Sequence, residues 1–308
     1  MLAVFSDLVF TKQNKKTHNA RGARTTMKIG FNLLLWTINV EDQHMPILED
    51  LKKTGYDGVE VPVFGGEAAQ FKALGQRLTD MGLERTAVSA LTSTEVNPLV
   101  ADKAVQTKAV DFMKGVLDNC AALGATRVVG PMHSVLGHFS GSGPTEDEKK
   151  RAVEFHHKVG DHAKSVNVAV SLEALNRFEC YFANTMADLH AHVERVNHPF
   201  IRGMYDTFHC NIEEKDPVGA IAKHVNAIDH VHISENDRGT PGRGHIDFPA
   251  VFKALKAVNY DGWCTIEAFG RGLVELAAAT KVWRDFFPDP KQVYQEGFTV
   301  IRDGWAKA

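Results

Sequence analysis

Glu173, Asp206, His232 and Glu267 can all ligate a metal, and they follow one another at separations of 33, 26 and 35 residues. Each separation is about one strand–helix unit, so a fold that repeats such units would bring all four to one rim. Three carboxylates and one imidazole make a hard, oxygen-rich site suited to Mn²⁺ or Mg²⁺, with Co²⁺ next, and unlike the thiolate-rich sets of structural zinc. Clustered carboxylates repel one another unless a cation offsets them. Singly, each has an ordinary reading: Glu173 and the nearby Glu179 as solvated loop charges, Asp206 as a helix N-cap, His232 as a satisfied core histidine. Four in succession at this spacing are hard to reach by accident.

The elements that must carry them are visible as eight short apolar runs: 29–36, 58–63, 85–91, 126–132, 168–172, 201–205, 228–233 and 263–266. Val168 to Leu172 reads as a strand buried on both faces, ending abruptly in Glu173. Between the runs, segments such as 47–53, 68–81, 103–123 and 146–165 repeat apolar residues at helical spacing. Each helix-to-strand turn carries a residue tolerant of left-handed backbone: Gly55, Gly82, Gly124, Asn167, Asn197, Asn226 and Asn259. Strands separated by helices run parallel, and eight such units predict an α/β chain folded as a single-domain (β/α)8 TIM barrel over 27–308. A doubly wound open sheet is the alternative, disfavoured because no Gly-rich nucleotide fingerprint follows the first run. Residues 273–287 and 291–305, split by Pro288-Asp-Pro290, are expected to form two closing helices.

The chain of 308 residues is 44% hydrophobic and 24% charged, an ordinary soluble composition. Residues 1–26 hold five basic residues against Asp7, a balance of +4 that leaves −7 of the formal −3 on the remainder. Without a sustained periodic pattern, 1–26 reads as a poorly ordered leader. The acidic remainder argues against a nucleic-acid partner. No stretch of about 18 apolar residues is present to span a membrane. Cys120, Cys180, Cys210 and Cys264 lie far apart with no Cys-x-x-Cys pair, which fits a reducing cytoplasm.

Four motifs resemble the sugar isomerase/epimerase barrels, and among them the ketose 3-epimerases acting on D-tagatose, D-psicose (allulose) or L-ribulose. They are Leu172-Glu-Ala-Leu-Asn-Arg-Phe-Glu179, Asp206-Thr-Phe-His-Cys-Asn-Ile-Glu-Glu214, His230-Val-His-Ile-Ser-Glu-Asn-Asp-Arg-Gly239 and Tyr260-Asp-Gly-Trp-Cys-Thr-Ile-Glu267. The resemblance runs from Met27 to the C-terminus. It implies Glu173 and Glu267 as both metal ligands and acid/base pair, Asp206 and His232 as the remaining ligands, and Glu179, His209 and Arg238 as groups holding the O1 to O3 end of a ketose. It also implies a divalent ion, Mn²⁺ first, and a homodimer or homotetramer. Removing the weakly acidic C3 proton needs such an ion to stabilise the enediolate, and two bases on opposite faces invert the centre.

The chain departs from the pattern at Gly130-Pro-Met-His-Ser-Val-Leu-Gly-His138, where the aromatic residue that some of these enzymes place over the sugar is missing. His133 is the candidate to face the pocket instead, with Trp36 as a wall and Glu60 meeting a substrate hydroxyl or supporting the metal ligands. Rival readings on the same scaffold are aldose–ketose, hydroxypyruvate or inosose chemistry. More distant ones are an endonuclease IV-like DNA repair enzyme, which should bring more histidines and a basic face, and a non-catalytic sugar-binding protein.

Overall fold

Each of the eight apolar runs becomes a strand in the computed structural model, which describes residues 27–308. In chain order the elements are β1 (Lys28–Asn32), α1 (Met45–Thr54), β2 (Gly58–Pro62), α2 (Ala68–Asp80), β3 (Glu84–Val88), α3 (Lys103–Leu123), β4 (Arg127–Gly130) and α4 (Glu146–Val166). They continue as β5 (Ala169–Glu173), α5 (Met186–Val196), β6 (Ile201–Asp206), α6 (Thr207–Glu213), α7 (Pro217–His224), β7 (Ile228–Ile233), α8 (Phe248–Ala257), β8 (Trp263–Ile266), α9 (Val274–Thr280) and α10 (Pro290–Lys307). The strands pair in parallel and in sequence order into a closed barrel, sealed where Gly30 of β1 meets Thr265 of β8. The result is one TIM-barrel domain. The expectation for residues 1–26 lies outside the described residues.

Alternation along each strand sends one set of side chains outward to the helices and the other into the barrel. Outward residues such as Phe31, Val59, Val128, Val170, Val231 and Ile266 join the apolar faces of the helices in the main core. Several helices start on side-chain caps, and Thr145 with Glu148 and Thr185 with Asp188 form reciprocal capping boxes worth about 1 kcal/mol each. Gly55, Gly82, Gly124, Asn167, Asn197 and Asn259 take the expected positive φ. Asn226 does not: α7 ends in an ordinary turn in which Ala227 N–H donates to His224 O and Ile228 N–H to Val225 O.

Two further expectations are corrected. The run 29–36 is strand only to Asn32, whose side chain caps a 3₁₀ turn over Leu33–Leu35. The first closing helix stops at Thr280 because Lys281 enters the left-handed region at φ 61° and Val282 turns inward. The segment beyond is pinned by the ion pair between Arg271 and Asp285. No helix among the described residues is long and apolar enough to cross a membrane.

Candidate metal centre and active site

The C-terminal ends of β5, β6 and β7 and the residue after β8 deliver Glu173, Asp206, His232 and Glu267 to one point, all of them buried. One ligand atom from each lies within 4.8 Å of the other three. His232 Nε2 donates to Glu60 Oε1 at 2.7 Å, which turns Nδ1 toward the carboxylates. From Nδ1 the distances are 3.5 Å to Glu267 Oε1, 3.6 Å to Asp206 Oδ2 and 3.9 Å to Glu173 Oε1. These are too long for hydrogen bonds but fall between the ~3 Å and ~4 Å that separate neighbouring and opposite ligands around an ion at about 2.1 Å. Glu173 Oε1 and His232 Nδ1 are buried without a hydrogen-bond partner. Orphaned acceptors converging in a hard donor set fit a divalent cation.

Asp206 does two jobs at once. Its Oδ1 accepts the His209 N–H at 3.0 Å as the N-cap of α6, while Oδ2 accepts Ser234 Oγ–H at 2.9 Å and faces His232. The ordinary reading of this residue as an N-cap is therefore realised, with its second oxygen left facing the other three side chains of the cluster.

The electrostatics describe a cluster that stores protons. Burial, and then the charge of Glu267, push Glu173 well above the usual carboxylate range. Burial pushes Glu267 up to about 7, with His232 opposing and Asp206 reinforcing the rise. Burial works against the charged form of Asp206 as well, yet the contacts with His232 and His209 hold it at about 2. For His232 burial favours the neutral ring, but Glu60 and Glu267 outweigh it and raise the imidazole well above its ordinary value. A cation at the centre would take over the role these protons play.

Beside the ligands, Arg238 pairs with Glu179 at 3.0 Å, and its guanidinium lies between Phe208 and Phe269, 4.2 and 5.0 Å from the ring centres. Arg238 sits at φ 63°, a position braced by Glu235, which accepts the backbone N–H groups of Asn236, Gly242 and Ile246. His209 Nδ1 accepts the Asn176 N–H at 3.0 Å, which assigns the proton to Nε2. Burial keeps the ring neutral by holding it down at about 4. Its Nε2–H is 3.1 Å from Arg238 Nη2 and 3.7 Å from Glu173 Oε1. Two donors thus converge on one place, which an oxygen atom would satisfy.

Glu173, Glu179, His209, Arg238 and Glu267 line a cavity of about 120 Å³, walled on its other sides by apolar residues including Leu34, Val88, Leu136 and Leu276. Three expected substrate contacts lie elsewhere. Trp36 is carried past the cavity by the 3₁₀ turn, packs on Phe31 with ring centres 4.9 Å apart, and borders a separate hollow of about 480 Å³; Leu34 takes its place. His133 is fully buried, stacked on Phe182, with Nε2 2.7 Å from the backbone oxygen of Glu173, so it holds the strand end rather than the sugar. Glu60 is fully buried one layer deeper and supports the ligands instead of meeting a substrate hydroxyl: it accepts His232 Nε2, Asn32 Nδ2 and Thr86 Oγ1.

Glu60, His230 and His232 form a second potential ligand group. The 2.7 Å contact between Glu60 and His232 is a hydrogen bond, and we read the group as support. His230 Nε2 is 3.1 Å from Glu60 Oε2 without a hydrogen bond, and burial lowers the pKa of its ring, favouring the neutral form. Sequence reasoning missed Asn32, His230 and Glu235. Their signal, a polar residue at an inward position of a strand or mouth loop, emerges only once the register is known.

Residues 48–303 match the xylose isomerase-like TIM barrel family. The chain is 32% identical to the L-ribulose 3-epimerase of Mesorhizobium japonicum, over 85% of this chain and 89% of that one. It is 30% identical to the ketose 3-epimerase of Arthrobacter globiformis, over 90% and 96%. Its structure superposes on that of an L-ribulose 3-epimerase with a TM-score of 0.85 at 28% identity, covering 92% and 95% of the two chains. A D-psicose 3-epimerase from Clostridium cellulolyticum, solved with D-tagatose, gives 0.82 at 28% identity over 90% and 98%. This chain belongs to the xylose isomerase-like TIM barrel family, and its relatives include ketose 3-epimerases, enzymes of the isomerase class.

Proposed function

We propose that this protein is a metal-dependent ketose 3-epimerase that inverts C3 of a free ketose of the D-psicose/D-fructose, D-tagatose or L-ribulose type. The observation that carries the reading is the pair of buried carboxylates, Glu173 and Glu267, on one cavity and in one ligand set with Asp206 and His232. Those four would hold a divalent cation, Mn²⁺ first and Mg²⁺ or Co²⁺ next. When bound, the cation supplies Lewis-acid stabilisation of the charge that develops on the ketose oxygens.

The chain's own groups do the rest. One carboxylate takes the C3 proton, the C3–H electron pair moves into the C2–C3 bond, and the C2 carbonyl oxygen takes up the charge. The other carboxyl, already protonated, returns a proton to the opposite face of C3. In the metal-free chain burial raises Glu173 and pushes Glu267 up to about 7, so both sit in surroundings that accept a protonated carboxyl. Arg238 and the Nε2–H of His209 hydrogen-bond the O1 to O3 end, and Glu179 fixes the guanidinium while accepting from a hydroxyl. We place the enzyme in a reducing cytoplasm, where its four buried, unpaired cysteines are stable, as a homodimer or homotetramer.

The test is a panel of D-psicose, D-fructose, D-tagatose and L-ribulose with Mn²⁺, resolved by chromatography. C3 epimers as the sole products support the reading, and aldose products would replace it with aldose–ketose isomerisation.

A further inference from the structure

Asn32 was no candidate for function, yet it is fully buried at the end of β1 and touches the reactive rim directly. Its Nδ2 donates to Glu267 Oε1 at 3.0 Å and to Glu60 Oε1 at 3.1 Å. Its Oδ1 accepts the Leu34 N–H at 2.9 Å, so the carboxamide cannot turn over without losing the cap of the 3₁₀ turn. The same Glu267 oxygen faces His232 Nδ1 at 3.5 Å, on the ligand side of the carboxylate. Oε2 has no hydrogen bond from any described residue, and Glu267 lines the cavity. Glu173 differs: no described residue gives its carboxylate a hydrogen bond, and its backbone oxygen alone is held, by His133.

We propose that Asn32 is a positioning residue that divides the labour of Glu267, pinning Oε1 among the ligand atoms and leaving Oε2 to exchange the proton with C3. This rests on the reading of Glu267 as one of the two acid/base groups. A carboxylate that both binds an ion and moves a proton must keep its two oxygens in separate roles. The terminal C–C bond of a glutamate rotates broadly, and intermediate orientations would aim neither oxygen correctly; a single fixed donor on one oxygen holds the carboxylate plane in the orientation that serves both roles.

Asn32→Ser is the appropriate perturbation, because a serine hydroxyl can still accept the Leu34 N–H as an N-cap but cannot reach Glu267. The expected result is a kcat lowered roughly 10- to 100-fold, as for a misplaced catalytic group, with KM and the Mn²⁺ dissociation constant each within about threefold of wild type. The dissociation constant is read by calorimetry on the metal-free protein, independently of turnover. An unchanged kcat overturns the proposal, and so does a kcat restored by saturating Mn²⁺, which would limit Asn32 to holding the ion. Asn32→Ala, judged on the fraction that melts cooperatively, repeats the test without the hydroxyl. A wild-type protein that exchanges no C3 hydrogen would instead remove the epimerase reading beneath it.

Discussion

Glu60→Gln isolates the support beneath the metal ligands. The carboxylate is fully buried and meets four groups: His232 at 2.7 Å, Thr86 at 2.8 Å, and Asn32 and His230 each at 3.1 Å. Burial alone would raise its pKa, but His232 and His230 hold it well below the usual carboxylate range, so it is charged. Glutamine keeps the shape and removes that charge. The bond to His232 becomes neutral, Nδ1 becomes a weaker donor to the ion, and the ring is less firmly aimed. Loss of such an outer partner costs about 10- to 100-fold in metal affinity, or about 1.4 to 2.7 kcal/mol. One effect runs the other way. Glu60 is the leading stabiliser of protonated His232, so the variant loses its proton more readily and metal meets less competition. The net loss is therefore largest at alkaline pH, where proton competition fades in both proteins. Mn²⁺ titration calorimetry at two pH values measures it. An alkaline dissociation constant within twofold of wild type, in a protein that still melts cooperatively, would refute the reasoning.

Three further outcomes are expected. Glu179→Gln leaves the buried Arg238 guanidinium partly unpaired, which should destabilise the fold by about 3 kcal/mol in urea and raise KM; unchanged values in both would remove the ion pair from substrate binding. His156 is held at about 3 by burial, below its unfolded value of about 6.5, so its contribution is intact above pH ~6.5 and is lost at up to about 1.4 kcal/mol per pH unit as pH falls toward 3. Urea unfolding of wild type and His156→Gln from pH 7 to 4 should show a shallower slope in the variant, and equal slopes would contradict the assignment. Stripping the ion with EDTA from protein held at a hundredfold excess of metal over its dissociation constant removes about 2.7 kcal/mol, a Tm drop of roughly 4 to 8 °C by calorimetry. No shift would mean that the four ligands hold no ion.

The barrel was legible because its signals are local. Apolar runs, helical spacing and turn residues each depend on near neighbours, and six of the seven expected left-handed turns form. The convergence of Glu173, Asp206, His232 and Glu267 was legible for a related reason: a strand end is a position along the chain, and eight strand ends in a barrel share one mouth. What escaped depends on rotation about an axis or on contacts between distant strands. Trp36 and Leu34 are two residues apart, and a 3₁₀ turn decides which one faces the cavity. Glu60 meets His232 across 172 positions and Asn32 meets Glu267 across 235, distances over which sequence spacing says nothing about register. His133 was expected at the pocket because it lies in a mouth loop. Gly130 at φ 126°, where a Cβ would strike Ser89 O at 2.2 Å, turns that loop so that His133 packs behind Glu173.

The central claim, proton exchange at C3 between two buried carboxylates, is tested most directly in D₂O. The Mn²⁺-loaded protein is incubated with each ketose of the panel, and the sugars are read by NMR. The account predicts deuterium at C3 alone, carried in the inverted epimer, and loss of that exchange in Glu173→Gln. Deuterium at C1 or C2 with an aldose product, or no exchange into any ketose of the panel, would contradict it.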